Sequence, residues 1–131
     1  MIVVLDTSAT VEVLLQRPEA DRLGQKIGDA EWVLVPSIYT AEICNVFWKY
    51  HQFESLSRES CERAISHGLL LPDTFSDDRE LQREAFSMAC LCQRPVYDML
   101  YLVLARRHSA YLLTLDKALQ ALAKKHDVLV S

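Results

Sequence analysis

Glycine is scarce. The chain has three, Gly24, Gly28 and Gly68, in 131 residues. A phosphate-cradling G-x-x-x-x-G-K or G-x-G-x-x-G loop, or a G-x-S-x-G nucleophile elbow, needs glycines at spacings these three do not offer. There are only four prolines, and no low-complexity tract, so no linker divides the chain and one domain over 1–131 is expected. The four cysteines, Cys44, Cys61, Cys90 and Cys92, include no C-x-x-C pair. Cys90 and Cys92 form C-x-C without a second pair, so reduced thiols in apolar helices are expected. The histidines (His51, His67, His108, His126) are scattered, which argues against zinc. No apolar run reaches the roughly 18 residues of a membrane span. The N-terminus lacks a basic lead and a cleavage site. A cytoplasmic protein with no membrane role is therefore expected. A surplus of basic charge is also missing: 14 basic against 18 acidic residues gives −4. That argues against a whole-surface nucleic-acid binder, but not against a local basic path.

Hydrophobic residues are abundant, at half of the chain. Ile2–Leu5, "WVLVP" (32–36), "LLLP" (69–72), "YLLTL" (111–115) and "VLV" (128–130) read as strands. Helices are expected over Ser8–Gln16, Glu19–Ile27, Ser37 to about Gln52, Ser57 to about Gly68, Asp77 to about Cys92, Pro95 to about His108, and Lys117–Lys125. Ser37 is expected to cap its helix. Asp77, with Glu80 three residues on, resembles a capping box. Strands that are apolar throughout are buried on both faces. Their alternation with helices implies an α/β fold around a parallel sheet.

"VVLDTSATVEVLL" and "LLTLDKALQALA" share one design: an apolar strand, Leu-Asp, then a helix. Asp6 and Asp116 thus stand just past the carboxyl ends of strands, where open parallel sheets bind ligands. Aspartate is also a good helix N-cap, and either residue alone is equally well explained that way. Two further acids tilt the balance. The helix from Ser37 carries Ile38, Ala41, Ile43, Cys44, Val46, Phe47 and Trp48, and is expected to be buried all round. Its polar residues Glu42, Asn45 and Lys49, at i, i+3 and i+7, fall in one stripe. Glu42 leans back toward the helix start, on the same rim. Phe47, Trp48, Tyr50 and Phe53 exceed what one core-facing stripe can hide, so part of that face is expected to be an interaction surface, with core packing the expected fate of any one of them taken singly. In "PVYDMLYLVLA", Asp98 opens a helix whose only polar group from Met99 to Ala105 is the Tyr101 hydroxyl. Compensating the helix dipole is worth about 0.3–1 kcal/mol. Burying an unpaired acid costs several times that. A cation is expected to meet Asp98, and Arg94 is the nearest candidate in sequence.

Asp6, Glu42, Asp98 and Asp116 can therefore converge on one edge. Four carboxylates repel unless a cation neutralises them. All-oxygen ligands favour Mg²⁺ or Mn²⁺. Such a site suits metal-assisted phosphodiester hydrolysis.

"VVLDTS", "TAEICNV", "VYDMLYLVLA" and "LLTLDKAL" together resemble the four signature segments of PIN-domain ribonucleases, most closely the VapC toxins of toxin–antitoxin pairs. The resemblance covers essentially the whole chain. It implies a three-layer α/β/α sandwich with a central parallel sheet of four or five strands. It implies that Asp6, Glu42, Asp98 and Asp116 are catalytic, metal-binding acids for Mg²⁺ or Mn²⁺. Ser8, Asn45 and Thr114 match the polar positions that support them. The resemblance further implies a homodimer, a cognate antitoxin and an RNA substrate, often tRNA or rRNA. The acidic net charge departs from that pattern. Arg17, Lys49, Arg94 and Lys117 are the candidate RNA contacts, though each is equally readable as a solvated charge.

Two other hydrolytic and signalling folds fit less well. A haloacid-dehalogenase phosphatase needs a second acid two residues after Asp6, and position 8 is Ser. A receiver domain needs adjacent acids after strand one. The serious alternative is a catalytically weak PIN-like module that sequesters RNA or a protein partner. Mn²⁺-dependent cleavage of a mixed RNA pool separates it from an endoribonuclease.

Overall fold

Val3, Val4 and Leu5 are each fully buried. Successive strand residues face opposite sides of a sheet. Three in a row without exposure therefore require cover on both faces. A computed structural model, which describes residues 1–131, supplies it. The elements are β1 (Ile2–Leu5), α1 (Thr7–Leu14), α2 (Ala20–Asp29), β2 (Trp32–Pro36), α3 (Ile38–Glu54), α4 (Arg58–Leu70), β3 (Thr74–Ser76), α5 (Asp78–Cys92), α6 (Val96–Arg107), β4 (Tyr111–Leu113), α7 (Lys117–Lys125) and β5 (Leu129–Val130). The five strands form one sheet in the order β3-β2-β1-β4-β5, every pair parallel. Helices α1 to α4 pack among themselves, and α5 packs on α6. The sheet is the middle layer of an α/β/α sandwich.

The winding reverses at β1, which pairs with β2 on one side and β4 on the other. A crevice at the carboxyl ends of strands is expected at such a point. Leu5 lies opposite Leu113, and the Asp6 amide donates to the Leu113 carbonyl at 3.0 Å. Asp6 and Thr114 are thereby set side by side just beyond the sheet. Across the sheet face runs α6, which packs on β1, β2 and β4. Its residues Met99 to Ala105 are buried without a break, as the apolar run requires.

Three expectations are corrected. The run 69–72 is not a strand. Leu69 and Leu70 continue α4, and Leu70 is 79% exposed. The third strand is the less apolar Thr74–Ser76, at the sheet edge. A tetrapeptide run is too short for periodicity to tell strand from helix end. Helix α3 is not buried all round: only Tyr39, Ile43 and Phe47 are, at i, i+4 and i+8. Ser37 does not cap α3. Its backbone is already helical, and its hydroxyl accepts instead from the Asp78 amide at 3.1 Å. Asp77 does cap α5, accepting from the Arg79 amide at 2.9 Å. No side-chain bond returns from Glu80, so the box is half made.

Phe47 is fully buried, and the thiol of Cys61 from α4 donates to its carbonyl at 3.4 Å. Phe47→Ala is expected to cost about 3–5 kcal/mol, a large part of a typical domain's net stability. Urea denaturation checks this: a loss under 1 kcal/mol would mean that the α3–α4 seam is not core.

Candidate active site

Asp6 ends β1 at the N-cap position of α1, yet its carboxylate caps nothing. Its backbone carbonyl takes the amides of Ala9 and Thr10. The side chain turns to two hydroxyls instead: Ser8 Oγ and Thr114 Oγ1 each donate to Oδ2 at 2.7 Å. Oδ1 has no side-chain partner. Asp6 is 8% exposed and makes no ion pair. Burial pushes its carboxyl above the ordinary range; the two hydroxyls pull part of that back, and the charge of Asp98 adds to the rise. A buried carboxylate without a cation is costly unless something supplies charge.

Glu42 faces the same crevice from the second turn of α3. The Tyr101 hydroxyl donates to its Oε1 at 2.5 Å, and Thr7 Oγ1 donates at 3.2 Å. The two hydroxyl oxygens lie 3.1 Å apart. Burial again raises the carboxyl; the Tyr101 bond opposes it, and the charges of Asp6 and Asp98 reinforce it. Burial and the Glu42 carboxylate together hold the Tyr101 phenol far above its usual value, so it stays a donor. Tyr101 and Thr7 were not among the sequence candidates. The lone hydroxyl in the run Met99–Ala105 was the signal for Tyr101. Thr7, at the start of α1, carries no comparable signal.

The other two acids behave differently. Asp98, in the first turn of α6, pairs with Arg94 at 2.7 Å. Asp116 does cap a helix: its Oδ1 accepts from the Ala118 and Leu119 amides at 2.9 and 3.1 Å. Its Oδ2 stands 3.5 Å from the same arginine nitrogen. The hydrogen bond that Arg94 donates to Asp98, more than the charge of that acid, raises the guanidinium further. The four acids thus divide into an inner pair without a cation and an outer pair sharing one.

A cleft of about 510 Å³ opens on the inner pair, with Asp6, Ser8, Glu42, Asn45, Lys49 and Arg17 in its walls. The stripe Glu42, Asn45 and Lys49 lines it as one face. The Arg17 guanidinium carbon stands 5.5 Å over the Tyr50 ring, at the cleft's edge. Arg94 and Lys117 are not in its walls.

The donor set suits a hard cation: carboxylates and hydroxyls, no sulfur, no imidazole. No three acids stand close enough to hold an ion together. The chemistry of the inner pair nevertheless fits Mg²⁺ or Mn²⁺, because buried Asp6 and half-buried Glu42 repel each other with no ion pair to neutralise them. Asp6 and Glu42 would hold the ion, with Asp98 and Asp116 drawn in from Arg94.

Tyr101→Phe removes one oxygen and keeps the ring. Loss of a partner that orients a metal ligand costs about 10- to 100-fold in metal affinity or activity. A drop in that range is expected in Mn²⁺ affinity by calorimetry, with the fold intact. Unchanged affinity would remove Tyr101 from the site.

Residues 3–125 match the PIN domain family model. No curated protein matches the chain in sequence. Among solved structures, PAE2754 from Pyrobaculum aerophilum is similar at 20% identity and a TM-score of 0.74, over 92% of this chain and 86% of that one. VapBC2 from Rickettsia felis, bound to a DNA fragment from their promoter, shares 16% identity at a TM-score of 0.68, over 100% and 98%. FitAcB from Neisseria gonorrhoeae shares 20% at 0.64, over 98% and 95%. At these identities the likeness is one of fold.

Proposed function

The chain belongs to the PIN domain family, and from that premise we propose that it is a metal-dependent endoribonuclease, the toxin of a VapBC-type pair. The observation that carries this is the inner pair, Asp6 and Glu42: two desolvated carboxylates facing a cleft with no cation beside them. A bound Mg²⁺ or Mn²⁺ supplies charge neutralisation at the phosphate and a more acidic water. The chain's own groups do the rest. Ser8 and Thr114 fix the Asp6 carboxylate, and Tyr101 with Thr7 fixes Glu42. Asn45 and Lys49 line the approach, and Lys49 and Arg17 provide positive charge along it. Lys117 is exposed at the start of α7, beside Asp116, and extends that charge. Asp98 and Asp116 would complete the metal's surroundings once released from Arg94.

A cognate antitoxin and a second copy of the chain are the proposed protein partners. Apolar surface supports them: Trp48 and Phe53 on α3 are 52% and 72% exposed, stacked edge-on at 5.9 Å. No helix is long and apolar enough to cross a membrane.

The test is incubation with a mixed pool of tRNA and rRNA. Cleavage with Mn²⁺ or Mg²⁺, and none with EDTA, is expected. RNA that is bound but never cut with either ion would replace the nuclease by a sequestering module.

A further inference from the structure

The geometry points to Arg94 as an internal counter-cation that competes with the metal for Asp98 and Asp116. This rests on the nuclease proposed above. A single terminal nitrogen, Nη2, serves both acids, at 2.7 Å and 3.5 Å, bridging the first turn of α6 and the start of α7. An arginine placed purely for structure commonly uses its planar fork on one carboxylate. Here the rest of the guanidinium is idle: Nε is buried with no hydrogen-bond partner. The two acids are the only hydrogen-bond or ion-pair partners of its side chain, and leaving would relieve the stranded Nε.

The hold is also weak. The side chains of Arg94, Asp98 and Asp116 are 24%, 31% and 41% exposed. Ion pairs this open to solvent are worth no more than about fivefold in an equilibrium constant. Meanwhile no three acids are gathered to hold an ion. To join Asp6 and Glu42 around one, Asp98 and Asp116 must turn away from Arg94. The arginine therefore quiets the outer acids while the site is empty and yields them when the ion arrives. Metal affinity is then the outcome of a contest inside the protein.

The direction of one effect separates this from a structural tie. A tie that pre-positions the acids would make metal binding weaker when cut. A competitor would make it tighter, since a nearby positive charge also disappears. Mn²⁺ binding to the full chain is measured by calorimetry for wild type and Arg94→Gln. The variant is expected to bind about 2- to 5-fold tighter, to melt lower without metal, and to gain more from it. Equal or weaker binding by Arg94→Gln, with wild type binding normally, overturns the competition and leaves the nuclease standing. No Mn²⁺ binding by wild type removes the nuclease and this inference together. A measurement on wild type alone guards against a variant that does not fold: the Nε–Hε resonance of Arg94 is followed through a Mg²⁺ titration. It should move to saturation with the binding isotherm, and a resonance that stays fixed at full occupancy contradicts displacement.

Discussion

Asp6→Asn is expected to cut metal-dependent RNA cleavage by at least about 100-fold, in line with losing one preorganised electrostatic group, while raising the melting temperature of the metal-free protein. The two effects have one cause. Asp6 is buried, has no cationic partner, and feels the charge of Asp98. Asparagine keeps the oxygen that accepts from Ser8 and Thr114 and loses the charge. A pure helix cap would behave otherwise, since asparagine caps about as well as aspartate. Unchanged cleavage with an unchanged melt would place Asp6 outside the site. The sequence pointed to Asp98 as the acid short of a partner. Arg94 provides that partner, and the relief moves to Asp6.

The second large effect is on stability as pH and metal change. Burial first, and the neighbouring acids after it, hold the Asp6 and Glu42 carboxyls above the ordinary range. Such groups bind protons more readily in the folded state than in the unfolded one. Their contribution is full below the ordinary carboxylate pKa and is lost as pH rises through the folded values. The metal-free protein is therefore expected to melt lower at pH 8 than at pH 5, as far as these two acids decide it. Glu84 is shifted the other way by the Arg106 and Arg107 pairs, which outweigh its desolvation. Its contribution is lost only as pH falls through and below the ordinary carboxylate range, outside that window. Mn²⁺ should reverse the alkaline loss. A ligand that binds only the folded state contributes about 2.7 kcal/mol at a hundredfold excess over Kd. For a chain of this size that is roughly 10 °C. Differential scanning fluorimetry at both pH values, with EDTA and with Mn²⁺, reads it. A shift that persists in Asp6→Asn would mean that the ion binds elsewhere.

Much of this was legible in the sequence because two signals agreed. Strands β1 and β2 are apolar at every residue, which places them in the middle of a covered sheet, and α6 is apolar through seven but for the Tyr101 hydroxyl, which places it against that sheet. The order of elements then put Asp6, Asp98 and Asp116 on one rim. The edge was harder to see. β3 is half-exposed Thr-Phe-Ser, with no run to announce it, while the apolar 69–72 belongs partly to the end of α4. The apolar residues of α3 supported two expectations, burial all round and more aromatics than one core-facing stripe can hide, and only the second agrees with the exposures. Burial takes only the stripe of Tyr39, Ile43 and Phe47, and Trp48 and Phe53 face outward. Side-chain partnerships between distant elements were the least readable. Nothing in local spacing says that Thr7 and Tyr101, 94 residues apart, share Glu42. Nor does it say that Asp116 divides its oxygens between a helix end and Arg94.

The chemistry of the cut ends tests the nuclease most directly. A water held by the ion and the carboxylates would attack the phosphorus in place of the ribose 2′-hydroxyl, with the 3′-oxygen leaving, so cleavage of a defined RNA with Mn²⁺ should leave 5′-phosphate and 3′-hydroxyl ends. Mass spectrometry of the fragments, made by wild type and absent with Asp6→Asn, reads this in one experiment. Fragments ending in 2′,3′-cyclic phosphate, or formed equally in EDTA, would contradict it.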